Sequence, residues 1–370
     1  MKKITILSLH LNVGGIENCV TSLANLLCDK YNVEIVSTYK FSDKPFYYIN
    51  EKVKIKYLIN ETPNKKEFKK SLKSFQIANT LKEGIKSLKI LYKKRNLNIK
   101  YLKSCDSDII ISTRDYFNLL VGKYANCKQK IAWEHNYPKD KKYYQKVVKS
   151  CRNVNYLVNV TEDINNIYKK DLKEKSICIN NFVDQLPTIT SSLNNYNLIS
   201  VGRLSKEKGF IDLIKVFNQI YKKNNRVHLD IIGDGEEYQN IYQEIQKHNL
   251  NSAITLHGYK EKEFINMLYQ NSCMYLMTSY TESFGLVLIE AMSYGLPCIA
   301  FDSAEGARTI IDNNGYLIEN RDINKMATTT LQLLDDKEKL LELSENAIKT
   351  SKKYDKNIIK QHWLKLLERR

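Results

Sequence analysis

The sequence predicts an α/β protein built of two doubly wound domains in tandem, and three observations predict it. Short runs rich in β-branched and aliphatic residues alternate with helical patterns, the alternation that builds a parallel sheet covered by helices on both faces. The alternation stops at one polar stretch and then restarts. The chain has 370 residues, more than a single core organises.

In the first half, Ile4–Leu9, Val33–Thr38, Val53–Leu58, Asp108–Ser112, Lys130–Trp133, Asn155–Val160 and Ser176–Ile179 read as strands. The first lies in MKKITILSL, where two lysines precede an apolar stretch as in a signal peptide. That stretch is too short, however, and runs into His10 and Gly14-Gly15 with no cleavage-like site. LPTITSSLNNYN, residues 186–197, is polar, aperiodic and contains a proline, so 187–197 reads as a linker. It separates a domain at 1–186 from one at 198–353. Beyond it, Leu198–Gly202, Val227–Ile232, Ala253–Leu256, Met274–Thr278 and Cys298–Phe301 restart the strand pattern.

A hydrophobic share of 43% against 27% charged residues excludes a disordered chain. The eight cysteines are scattered, with no CxxC pair and no histidine at metal-ligand spacing, which predicts free thiols in a reducing compartment and no metal site. No run approaches the roughly 20 apolar residues of a spanning helix, so the expected location is cytoplasmic.

The net charge of +17 is unevenly placed. Lys65 to Lys103 holds thirteen Lys/Arg and two acids, Glu67 and Glu83, with Phe68, Leu72, Phe75, Ile77, Leu81, Ile85, Leu88 and Leu91 threaded through at helical spacing. Three readings stay open: a helical pair with one face on the core and its lysines in water, a surface resting on anionic lipid, and a nucleic-acid patch. The last lacks any accompanying DNA- or RNA-binding module.

Ligands of doubly wound sheets sit at the carboxyl ends of strands, so the loops there carry the functional reading. In HLNVGGIENCVTSLANLL, residues 10–27, a strand ends at Gly14-Gly15 and a helix begins, an arrangement that lets backbone amides approach an anion. It is not a dinucleotide fingerprint, and no phosphate-binding GxxxxGK[ST] loop exists. GRLSKEKGF, residues 202–210, places Arg203 and Lys208 at one loop mouth, a fork and a point charge suited to a diphosphate.

TESFGLVLIEA, residues 281–291, sets Glu282 at a helix mouth and Glu290 about two turns on. They are poorly arranged as an acid/base pair. As acceptors for hydroxyls on two sugars of one nucleotide-sugar they fit, because a carboxylate takes such bonds without offering a competing donor; the other reading of the same residues is a pair of ordinary helix-start and helix-surface charges. The free amides at the helix start are suited to a diphosphate.

Gly14-Gly15-Ile16-Glu17, Trp133-Glu134-His135, Ile179-Asn180-Asn181-Phe182-Val183-Asp184, Gly202-Arg203 through Lys208-Gly209, Gly233-Asp234-Gly235, Gly258-Tyr259 and Glu282 through Glu290 occur in that order over nearly the whole chain. With them the sequence resembles the retaining glycosyltransferases of the GT-B class, family 4. The resemblance implies two Rossmann-like domains facing a central cleft that closes over the reactants. It places the acceptor on the first domain, the nucleotide-sugar on the second, and a terminal helix, 354–370, crossing back to brace the first.

The resemblance also implies roles. Arg203 and Lys208 hold and stabilise the leaving diphosphate. Glu282 contacts the donor sugar hydroxyls, with backbone contacts from Phe284, Gly285 and Leu286, and Glu290 binds the ribose. Tyr259 lies by the base, and Gly202 and Gly235 are counted with the donor site. Gly14 and Gly15 approach phosphate or sugar from the first domain, and His135 touches the sugar or its developing charge. Gly306-Ala307-Arg308 resembles a phosphate-facing loop, but Thr309 stands where the family often has an acid. No metal or cofactor is implied; the nucleotide-sugar, by family frequency a UDP-sugar, is the substrate.

The expected reaction moves a hexose or N-acetylhexosamine to a saccharide, lipid-linked in keeping with the basic first domain, at the inner face of a bacterial membrane during capsule, lipopolysaccharide or related polysaccharide synthesis. Two alternatives stand beside it. A GT-B nucleotide-sugar epimerase shares the nucleotide grip but brings several first-domain acids and histidines, whereas this chain has six His in all. A non-enzymatic membrane- or nucleic-acid-binding protein explains the charge but leaves Arg203, Lys208, Glu282 and Glu290 without a role.

Overall fold

The computed structural model describes residues 1–369. The chain divides into two compact units: Met1–Val160, Ile164–Ile179 and the chain from Lys360 on, and Thr161–Asp163 with Asn180–Ile359.

The first unit is built on β1 (Lys3–Ser8), β2 (Asn32–Tyr39), β3 (Lys54–Ile59), β4 (Ile109–Ser112), β5 (Gln129–Glu134), β6 (Tyr156–Asn159) and β7 (Ser176–Cys178). They form one sheet in the order β3-β2-β1-β4-β5-β6-β7, every pair parallel. Ile4, Ile6, Leu7, Ile109, Ile110 and Ile111 are all buried, as expected for central parallel strands covered on both faces. Its helices are α1 (Gly15–Leu27), α2 (Lys65–Lys73), α3 (Ile77–Ser104), α4 (Asp115–Tyr124), α5 (Lys141–Ser150) and α6 (Glu162–Leu172). The Asp140 carboxylate caps α5, accepting from the Tyr143 N–H at 2.7 Å.

The second unit repeats the plan with β8 (Asn197–Val201), β9 (His228–Ile232), β10 (Ile254–Leu256), β11 (Met274–Met277), β12 (Cys298–Phe301) and β13 (Gly315–Ile318), ordered β10-β9-β8-β11-β12-β13 and again parallel. Its helices are α7 (Phe210–Lys223), α8 (Tyr238–Lys247), α9 (Lys262–Gln270), α10 (Leu286–Ser293), α11 (Glu305–Ile310), α12 (Ile323–Asp335) and α13 (Lys337–Lys352). On α7, Phe210, Leu213, Ile214, Val216, Phe217 and Ile220 are buried, an apolar face at helical spacing. Asp322 and Asp336 cap α12 and α13 through the N–H groups of Lys325 and Lys339. The chain ends in α14 (Lys356–Leu367), where Trp363 is fully buried in the first unit, edge to face with Trp133 at 5.2 Å.

Every strand expected from the sequence forms, with ends displaced by at most one residue. β13 was not expected. It is a four-residue edge strand opening on a glycine, and its pairing with β12 supplies what its own pattern does not. The stretch 187–197 holds to the second unit: the Ser191 N–H donates to Tyr294 O at 2.9 Å, and Leu193 is buried. None of the eight cysteines forms a disulfide.

The basic segment forms α2 and α3, but not with its apolar face on the core. Of the buried residues in α3, only Ile90 lies in its first half, while Leu72, Leu81, Ile85, Leu88 and Leu91 are exposed. No helix among the described residues is long and apolar enough to cross a membrane.

Candidate active site

In the second sheet the chain leaves β8 toward β9 on one side and reaches β11 on the other, the reversal at which doubly wound sheets open a ligand crevice. The loops leaving the carboxyl ends of β8 and β11 meet there. The Lys208 ammonium and the Glu282 carboxylate form an ion pair between them. The backbones are joined too: the Thr278 hydroxyl donates to Gly209 O at 2.9 Å, and the Tyr280 N–H donates to Glu207 O at 2.8 Å. Gly209 is required at this seam. Its φ is +67°, and a Cβ there would lie 2.1 Å from Thr278 O. Arg203 does not join Lys208 and Glu282; its guanidinium pairs at the surface with Glu207.

Beside this seam the ends of β8, β9 and β10 interlock. The Gly202 N–H donates to Ile232 O at 3.0 Å, the Leu204 N–H to Asp234 O at 2.9 Å, and the Gly233 N–H to Gly258 O at 2.9 Å. Gly233, with φ +146°, lets the two turns touch, since a Cβ there would stand 1.8 Å from Gly202 O. Gly202, Gly235 and the half-exposed Tyr259 thus come to adjoining strand ends.

Glu282 is held from behind. Its N–H donates to the Glu305 carboxylate at 3.2 Å, as does the Thr281 hydroxyl at 3.1 Å, and its carbonyl accepts the Gly306 N–H at 2.5 Å. The Gly306 amide is therefore committed to this loop, and Arg308 donates from Nε to Asp302 O at 2.6 Å. Phe284 is buried edge to face on Tyr354, and Gly285 caps α10 ahead of Leu286. Glu290 follows on α10, half-buried. Burial pushes its carboxyl up to about 7, against the pull of Lys262 and with the nearby Asp184 charge raising it further.

Arg321, which the sequence reading missed, locks the same loop. Its Nη1 donates to Ser279 O at 3.0 Å and to the Ser303 hydroxyl at 2.8 Å; its Nη2 donates to Thr278 O at 2.9 Å and to Asp212 at 2.7 Å. The guanidinium lies 3.6 Å from the Tyr280 ring centroid, and the Tyr280 hydroxyl donates to Asp212 at 2.7 Å. These bonds fix residues 278–280, and through them the approach to Glu282.

On the first unit, the reversal lies between β1 and β4. Glu17, on the first turn of α1, is buried and accepts from Arg114 Nη2 at 3.1 Å, with His10 Nε2 3.7 Å away. Gly14 faces this carboxylate, whereas a Cβ on Gly15 would meet nothing within 4 Å. After β5, His135 is buried with its Nε2 unpartnered, its ring 4.3 Å from that of Trp133. Burial and the Arg114 charge push its imidazole down to about 3, so it is neutral near pH 7. The adjacent Glu134 is raised by burial to about 6, while the Asn136 N–H at 2.8 Å and the Tyr143 hydroxyl at 3.0 Å oppose the rise.

The two doubly wound sheets and their motif-bearing switch-point loops define the class: the chain is a glycosyltransferase of GT-B fold. Its residues 187–350 match the family of glycosyl transferases group 1. The chain is 28% identical to an uncharacterised glycosyltransferase of Haemophilus influenzae, over 99% of this chain and 100% of that one. It is 26% identical, over 99% and 98%, to the Campylobacter jejuni α-1,4-N-acetyl-D-galactosaminyltransferase that acts on a diNAcBac-PP-undecaprenol-linked saccharide. Its fold is similar to that of Staphylococcus aureus TarM crystallised with UDP and α-GlcNAc-glycerol, with a TM-score of 0.76 and 20% identity over the whole of both chains.

Proposed function

We propose that this glycosyltransferase is a retaining hexosyltransferase. It takes a hexose or N-acetylhexosamine from a nucleotide-sugar, a UDP-sugar first among them, and places it on a lipid-linked saccharide in bacterial surface polysaccharide synthesis. The observation that carries the reading is the Lys208–Glu282 pair at the second unit's switch point, with the hydroxyl-seeking carboxylate of Glu290 on the helix that follows. UDP bound by TarM and the undecaprenol-linked substrate of the C. jejuni relative support the donor and acceptor classes.

In this reading Lys208, joined by Arg203 once it leaves Glu207, receives the diphosphate, and Glu282 accepts hydrogen bonds from the donor sugar. Glu290 accepts from the ribose and Tyr259 lies against the base; Gly202, Gly235 and the backbone of Phe284, Gly285 and Leu286 line the site. Gly14, Gly15 and His135 are the ligand-contacting residues of the first unit. The bond from the anomeric carbon to the phosphate oxygen breaks, and negative charge grows on the diphosphate where the two cations wait. The acceptor oxygen bonds to the same face of the anomeric carbon, and its proton passes to the departing phosphate oxygen. With the cations meeting that charge, the step needs no metal. The enzyme works from the cytoplasmic side, peripheral to an anionic membrane.

Turnover of an α-linked UDP-sugar with a saccharide acceptor, followed by UDP release and by the anomeric proton coupling of the product, tests the reading. An α-linked product agrees with it. A β-linked product overturns retention, and an epimerised sugar without transfer overturns the reaction.

A further inference from the structure

The exposed apolar face of α3 has no role in the donor site. Ile77, Leu81, Ile85, Leu88, Leu91 and Tyr92 are each more than half exposed, and at 100° per residue they fall within an arc of about 120°. Lys82, Lys86, Lys89 and Lys93 occupy the adjoining sector, all exposed, with Lys93 paired to Glu61.

The hairpin that presents this stripe is a built one. The Asn64 amide donates to Glu83 O at 3.0 Å and to the Glu83 carboxylate at 2.5 Å, and the Ser87 hydroxyl donates to Asn64 Oδ1 at 2.8 Å. Phe68 lies over Gly84. Glu83, one of the two acids of the segment, is thereby engaged inside the hairpin. At the turn, Phe75 is held at φ +53° and is 90% exposed. The left-handed region disfavours a bulky side chain, and its use to carry an aromatic ring outward points to a use for the ring.

We propose that α2, the Phe75 turn and the first half of α3 form a membrane-docking hairpin. Phe75 and the stripe from Ile77 to Tyr92 enter the acyl boundary of one leaflet, while Lys69, Lys70, Lys73, Lys82, Lys86 and Lys89 meet anionic headgroups. The inference rests on the reading of a lipid-linked acceptor and deepens it by naming the segment and the mode, insertion and not adsorption by charge alone. Charge complementarity selects the occupant. A second copy of this face would set like-charged lysine rows together, and a nucleic acid has no use for a leucine and isoleucine stripe, whereas an anionic bilayer satisfies both.

The test compares the full-length protein with a triple variant, Phe75→Ser, Leu81→Ser and Leu88→Ser, by co-sedimentation with vesicles of phosphatidylglycerol and phosphatidylcholine. The expected result is a loss of about tenfold or more in vesicle binding, with the melting-temperature rise induced by UDP unchanged. A Phe75→Trp variant reports the mode: its fluorescence should shift to the blue and be quenched by acyl-brominated lipid. Triple-variant binding equal to that of the parent, or a Trp signal indifferent to vesicles, overturns the inference. So does a parent dimer that the triple variant dissociates, or a preference for RNA over vesicles. The two readings fail separately. Insertion with transfer only to soluble saccharides refutes the lipid-linked acceptor alone; use of that acceptor without insertion refutes the hairpin alone.

Discussion

Lys208 and Glu282 are ion-paired across the mouth of the second switch point, each side chain about one-fifth exposed. One stands at the end of the β8 loop and the other in the loop after β11; in the proposed function Lys208 meets the leaving-group charge and Glu282 the sugar hydroxyls. Glu282→Gln should lower kcat by about 100-fold, in the range seen when one transition-state contact is removed, while KM for the donor changes little. Lys208→Ala should lower kcat and raise the donor KM. Steady-state rates of UDP release check both, and a Glu282→Gln enzyme of parental kcat contradicts the assignment.

Glu290 sets a pH dependence. Its carboxyl is raised from 4.5 to about 7, so the stability it contributes is fully present below 4.5 and lost as pH rises through about 7. In the proposed role of Glu290, ribose hydroxyls bond more strongly to the ionised carboxylate than to the neutral acid, so nucleotide binding takes the opposite sign. Affinity for UDP should fall by up to about tenfold per pH unit below 7, with proton uptake on release. Glu290→Gln should flatten that profile, which calorimetric titration across the window measures.

Arg321 should matter although it lies behind the ligand-facing residues. Arg321→Ala leaves Asp212 with the Tyr280 hydroxyl and Lys215 as partners but takes a charged donor from the carbonyls of Thr278 and Ser279, with an expected stability loss of about 2 kcal/mol in urea unfolding. UDP affinity should fall with it. Unchanged affinity in a folded variant would show that the loop holds its shape without this anchor.

Two glycines should respond differently. Gly209→Ala forces a Cβ toward Thr278 O at positive φ and should cost about 2 kcal/mol or more. Gly15→Ala meets no protein atom within 4 Å, so its stability should match the parent. A loss of activity in the Gly15 variant then reports a ligand at that amide.

The legible parts of this sequence are those where local pattern and tertiary fate coincide. Ile109–Ser112 and Met274–Met277 are strands in the sequence because they are buried on both faces, the same fact that makes them strands in the sheet. β13 was not legible because β12 supplies its pairing, and Arg321, three residues beyond it, went unseen with it. Spacing places Arg203 and Lys208 at one loop mouth, but spacing gives no rotamer, and Arg203 turns to Glu207. The helices of the basic segment could be read; that their apolar stripe faces away from the core could not, because periodicity reports that a face exists and not what covers it.

The measurement that tests the central claim most directly is thermal unfolding of the parent, Glu290→Ala and Arg203→Ala proteins with a panel of UDP- and GDP-sugars. A ligand that binds only the native state raises Tm by mass action. The account predicts a rise with one nucleotide-sugar class in the parent, lost in both variants. An equal rise in all three proteins, or none with any donor, would contradict the assignment of this site.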